Sequence, residues 1–306
     1  MKKFLVAIAA AAQLCMFSAQ TVQSQPQFVL SLNGAGGGFN EPRGLDLDAM
    51  GNVYVADLLN HRVQKFDSNG NFITMWGSYG SGHGQFIGPF DVAVDTSRNV
   101  YVVEVNNNYR VQKFDSNGTF ITTWGSYGSG QGQFINPVSL AVDVSGNVYV
   151  ADLSRIQKFD NSGNFITWWT GVSSARGIDV DVLGNVYVVD GLCRVVKFDG
   201  NGALITEWPT LCIPFGVAAD AKGNIFVTET QAGMGPARAA IFTSAGTFVL
   251  RWGEGLFVDP RSIVVDAAGS SIYVSDIGRN QVLKFRYTPV SIQTKTWSLV
   301  KSIYRK

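Results

Sequence analysis

The residues best placed to do chemistry in this chain are acids, each followed a few positions later by an arginine. The pairs are Asp57 and Arg62, Glu104 and Arg110, Asp152 and Arg155, Asp190 and Arg194, and Glu229 and Arg238, at separations of 5, 6, 3, 4 and 9. A fixed acid and Arg around a segment of changing length point to a bidentate clasp at the base of a loop. A ring of carboxylates without such partners would instead bind cations or exchange protons. The sixth acid, Asp276, is followed by Gln281 where the arginine belongs, which makes it the acid most available for other work. A second set follows the residue that opens each repeat: Arg43, Phe90, Val138, Arg176, Phe215 and Arg261. Arginine and aromatic side chains are enriched in interfaces. Arg43, Phe90, Arg176, Phe215 and Arg261, joined by His61 and Asp276, are therefore the candidate binding surface.

These residues recur because one phrase recurs. From Pro42 it reads P-R-G-L-D-L-D-A-M-G-N-V-Y-V-A-D, and it returns from Pro89, Pro137, Ala175, Pro214 and Pro260. Its closing acid stands at Asp48, Asp95, Asp143, Asp181, Asp220 and Asp266, in steps of 47, 48, 38, 39 and 46. Each unit holds four short apolar runs, in the first Leu45–Asp48, Val53–Ala56, Val63–Phe66 and Phe72–Trp76, too short for helices and rich in β-branched and aromatic residues. D-A-M-G-N at Asp48–Asn52 and D-S-N-G at Asp67–Gly70 join them, with Asp accepting backbone N–H bonds and Gly supplying a positive φ. One carboxylate per turn does not make a calcium cage.

Four antiparallel strands repeated six times predict an all-β, six-bladed β-propeller over residues 27–289. The last unit lacks a fourth strand, and Gln27–Leu32 matches the missing pattern, so the N-terminal strand is expected to complete the last blade and remove the open edges. Trp76, Trp124, Trp168, Trp208 and Trp252 on the fourth strands are expected to pack blade against blade. If each first strand lines the channel, the loops between second and third strands share the top face with the blade-to-blade linkers. Cys193 and Cys212 then lie on that face, as a candidate disulfide or as two free thiols.

The phrase from Pro42, with its continuation L-L-N-H-R-V-Q-K-F-D, resembles the NHL repeat, and the linkers Gly77–Phe86 and Gly125–Phe134 are similar to NHL inter-blade loops. The resemblance runs from about Gln27 to Phe285 and weakens in the fifth unit. It implies the propeller fold; for function it implies a choice among binding platforms for proteins or RNA, extracellular sensors and an amidating lyase. The lyase zinc site uses several histidines, and this chain has only His61 and His83, with no fixed spacing to one another. A metal-dependent lactonase is the other enzymatic alternative, using Asp46, Asp91 and Asp179 on first strands. The glycine-rich linkers are not phosphate loops because no helix follows them, and no G-x-S-x-G nucleophile elbow is present.

Lys2 and Lys3, the apolar run Phe4–Phe17 and a polar stretch read as a secretory signal peptide over 1–26, too short to span a membrane. Removing it leaves 22 basic against 23 acidic residues, with no basic field to hold nucleic acid or an anionic membrane. Residues 290–306 leave the repeat and are unassigned. The sequence-level expectation is a secreted, monomeric, non-enzymatic platform for a protein, peptide or glycan, with no cofactor and no metal.

Overall fold

The computed structural model describes residues 24–211, 213–230 and 236–288. The signal segment (apart from its last three residues), the 290–306 tail and Cys212 lie outside them. Among the described residues twenty-four strands form six four-stranded antiparallel sheets, the blades of a propeller. Blade one is Pro42–Leu47, Val53–Asp57, Arg62–Phe66 and Phe72–Trp76, and its first strand begins three residues before the apolar run does. Pro42 is tolerated there because the first position of a strand needs no ladder donor.

Gln27–Leu32 pairs antiparallel with Gln281–Arg286 and becomes the outer strand of blade six, as expected. The first strand of each blade lines the channel: Pro42–Leu47, Pro89–Val94, Pro137–Val142, Gly177–Val180, Ile213–Ala219 and Pro260–Val265.

The turns behave as their chemistry requires. Asp48 Oδ1 accepts the N–H groups of Met50 and Asn52, both at 2.9 Å, and Gly51 takes a φ of 80°. Glycine has a second task in the turns between third and fourth strands. A Cβ at Gly118 would meet the Trp76 ring at 2.5 Å, and one at Gly163 would meet Trp124 at the same distance. Each indole therefore lies on the bare glycine turn of the next blade. In blade three the packing indole is Trp169, 9% exposed, and not Trp168, which is 45% exposed. The reason is register: Trp169 faces Ile156 across the sheet, as Trp76 faces Val63 and Trp124 faces Val111.

Two further rings of contacts join the blades. On the bottom face a lysine crosses each junction to a turn carbonyl: Lys65 to Ser116, Lys113 to Asn161, Lys158 to Gly200, Lys197 to Ser244 and Lys284 to Ser68. Ile241 replaces that lysine in blade five, where Lys222 reaches Ala268 instead and Phe226, Trp252 and Tyr287 pack together. Along the channel every junction carries one side-chain stitch. Asp46 accepts from Val94 N, Asp91 from Leu140 N, Ser139 from Ile178 N and Asp179 from Ala219 N. Thr228 and Ser275 close the circle by donating to the carbonyls of Arg261 and Arg43.

Candidate functional site

The acid–arginine pairs are structural clasps, but not the bidentate forks expected. Arg62, Arg110, Arg155 and Arg194 each meet a single carboxylate oxygen, because the acid's other bonds go to linker N–H groups and neighbouring amides. Glu104 is 0% exposed and accepts Arg110 Nε at 2.7 Å and the linker N–H of Ile87 at 2.8 Å. Arg110 also donates to the carbonyls of Ser81, Gly82 and Gln85, which holds the linker down. Asp57 with Arg62 and Asp152 with Arg155 repeat the arrangement at 2.7 and 2.8 Å. Asp190 pairs with Arg194 and Glu229 with Arg238, at 3.1 and 2.9 Å.

Asp276 is not the spare acid its missing arginine suggests. It is 0% exposed, accepts the N–H groups of Val258 and Asp259 at 2.8 and 2.9 Å, and has Arg279 Nε at 3.5 Å. The cation comes from inside the loop, a position that matching to the other five blades does not reveal. His61 is also spoken for: its Nδ1 accepts from Gly88 N at 3.2 Å and its ring meets Tyr79 edge-on at 5.0 Å. Among the described residues no group of histidine, cysteine and carboxylate side chains gathers to hold a metal ion. Cys193 sits in the top loop of blade four with a φ of 58°; its candidate partner Cys212 lies outside the described residues.

The remaining five candidates do come together. Arg43, Phe90, Arg176, Phe215 and Arg261 all line one end of the channel, with Val138 completing the circle, above a cavity of about 200 Å³. The Arg43 guanidinium lies 3.8 Å from the Phe90 ring centre. Phe215 is flanked by Arg176 at 4.6 Å and Arg261 at 3.9 Å. Arg261 also binds Asp259 at 2.7 Å, while its Nε is buried without a partner. Burial and the charge of Arg261 lower the Arg43 pKa to about 10, and burial likewise lowers that of Arg176.

Below the mouth stand three carboxyl groups. Burial raises Asp46 to about 8, and Asp91 and Asp179 to about 7, against the opposing effect of the N–H bonds they accept. Asp46 and Asp179 occupy equivalent positions on blades one and four, opposite in a six-blade ring. Asp91 lies one layer nearer the mouth, in space that Gly44 leaves open: a Cβ there would come within 2.1 Å of Asp91 Oδ1. Their uneven distribution over the blades follows from the stitches, since Ser139, Thr228 and Ser275 serve the junctions the acids do not. Of these hydroxyls only Ser139 stands on a first strand, at the position Asp91 holds in blade two, and that exchange was legible in the sequence; Thr228 and Ser275 stand on second strands.

A channel-lined β-propeller with a cationic, aromatic mouth is the class of protein these features define. The NHL repeat model matches residues 39–66, within blade one. That matched repeat lies in the first of six blades built on one recurring phrase, so blade one carries an NHL repeat within a six-bladed propeller. The protein brain tumor of Drosophila melanogaster is 41% identical over 58 residues, 19% of this chain and 6% of the relative, so the chain spans only a small part of that relative's length. Among solved structures, a gluconolactonase from Xanthomonas campestris superposes with a TM-score of 0.64 at 14% identity, covering 88% of this chain and 96% of that one. A catalytically inactive virginiamycin B lyase from Staphylococcus aureus, solved with quinupristin, gives 0.60 at 14% identity over 84% and 83%. At that identity the likeness is one of fold.

Proposed function

We propose that this protein is an exported, non-enzymatic binding platform that takes a protein, peptide or glycan through the top face of its propeller. The observation that carries the reading is the mouth itself. Three arginines stacked on two phenylalanines surround an open cavity, and the guanidinium groups of Arg43 and Arg176 make no hydrogen bond or ion pair among the described residues. Side chains held in place by stacking, with donors to spare, suit recognition better than scaffold. Export rests on Lys2, Lys3 and the apolar run that follows them. The test is a screen of the mature protein on peptide and glycan arrays beside its Arg43→Glu/Arg176→Glu variant. Ligands lost in the variant support the top face; ligands kept undiminished remove it.

The channel carboxyls favour one alternative, a hydrolase or lyase working inside the ring. Asp46, Asp91 and Asp179 titrate near neutrality beside a cavity, as general acids and bases do. Their oxygens already serve the stitches between blades, which supports the binding reading over this one. Lactone hydrolysis by the mature protein, with and without divalent ions, that falls in Asp91→Asn would reverse the order.

A further inference from the structure

We infer that Arg43, Arg176 and Arg261, stacked on Phe90 and Phe215, form a binding site for an oxyanion, the phosphate, sulfate or carboxylate group of a ligand whose body rests on the top face. The inference deepens the platform reading and depends on it.

The chain contains its own comparison. In the clasps, Arg62, Arg110 and Arg155 each bind a fully buried acid and two or more linker carbonyls. At the mouth, the same side chain meets neither: Arg43 and Arg176 have an aromatic ring beneath them and no acceptor among the described residues. A guanidinium that stacks through its flat face keeps its in-plane N–H donors for a planar or tetrahedral oxyanion. Arg261 holds Asp259 with one nitrogen and has a buried Nε with nothing to bond.

Charge leads the same way. Arg261 repels both Arg43 and Arg176; Glu41, Asp259 and Asp190 offset part of this from a distance, but among the described residues only Asp259 is bonded to any of the three. An anion there relieves the repulsion and supplies the missing acceptors. The channel acids do not bond to the mouth arginines: each binds backbone N–H groups, and of the three only Asp91 acts on Arg43, as the smallest of its attractive partners. The cavity of about 200 Å³ admits an anionic group with a short body.

The test uses the mature protein with inorganic phosphate, sulfate and succinate, each titrated at ionic strength held constant with sodium chloride, followed by calorimetry and by melting temperature. The expected result is saturable binding that raises the melt, weakened about tenfold or more in Arg43→Ala and in Arg176→Ala. Arg43→Lys should fall between, since it keeps the charge and loses the fork. Arg286→Ala, at an exposed position of blade six, should bind as the wild type does. Preference for phosphate and sulfate marks a tetrahedral dianion as the ligand group; preference for succinate marks a carboxylate. No saturable response, or one that survives in the Arg43→Ala/Arg176→Ala double variant, overturns the inference. If an array ligand binds through the top face and none of the three anions displaces it, the oxyanion site fails while the platform stands.

Discussion

Arginine occupies two rings in this protein, and removing one from each should have very unequal consequences. In Arg110→Ala the carboxylate of Glu104 stays at 0% exposure and loses its cation, while the carbonyls of Ser81, Gly82 and Gln85 lose a donor. Breaking a buried pair from one side costs about 3–5 kcal/mol. Asn108, Gln112 and Ile87 still donate to Glu104, which places the expected loss near the lower end, about 3 kcal/mol. For a domain of this size that is a fall in melting temperature of roughly 6–10 °C. Arg43→Ala gives up only the stacking on Phe90, worth about 0.5–1 kcal/mol, and gains relief from Arg261 and from its own burial, so its melt should stay within about 2 °C of wild type. The assay is thermal unfolding by circular dichroism, with hydrogen exchange read over the linker 77–88. Adding Glu104→Gln to Arg110→Ala should recover part of the loss, because the uncompensated charge is then gone. Equal losses in the two single variants, or a larger one for Arg43→Ala, would refute the division into a structural ring and an open one.

Deleting Gln27–Leu32 exposes the outer edge of blade six and should lower the melting temperature by well over 10 °C; an unchanged melt would mean the strand does not close the ring. Trp169→Ala should cost about 3–5 kcal/mol and Trp168→Ala less than about 1, measured by chemical denaturation, with the reverse order contradicting the register of blade three. Gly163→Ala should destabilise by about 2–4 kcal/mol, since its Cβ meets Trp124 at 2.5 Å and its φ is 89°, whereas Gly146→Ala, with a φ of 85° and no contact under 3.4 Å, should cost only about 1. Asp46, Asp91 and Asp179 hold protons in the folded state that the unfolded chain releases near pH 4, so stability should decline from about pH 4 until the folded groups ionise at 7–8. The slope is at most about 1.4 kcal/mol per pH unit for each group, and Asp46→Asn should make the decline shallower. Melts that do not change between pH 5 and 8 would show that channel water keeps these acids ordinary.

Much of the architecture was legible because its causes are local. The Asp–Gly–Asn wording closes most of the first hairpins within five residues, with Arg98 taking the glycine's positive φ in blade two, while the apolar runs set strand length and six copies set the number of blades. The latch was readable too, since Gln27–Leu32 repeats a pattern that blade six lacks. Equivalence between repeats misled where one blade found a different solution. Asp276 looked free because Gln281 replaces an arginine, but Arg279, between the two in sequence, faces it. Trp168 and Trp169 differ by one place in a strand, and only pairing with Ile156 shows which of them turns inward.

By itself the sequence determined the fold, because period, turn chemistry and apolar spacing act over a few residues and repeat without needing the ring to exist. It also determined which residue types stand at the head of each first strand. Only the closed ring decided what they do, since Arg176 and Arg261 share Phe215 across blades far apart in the chain, and Asp91 fills the space left by Gly44. Whether an arginine is saturated by a buried acid or left open at a mouth depends on the neighbours that six-fold closure brings to it, and closure is a property of the whole chain.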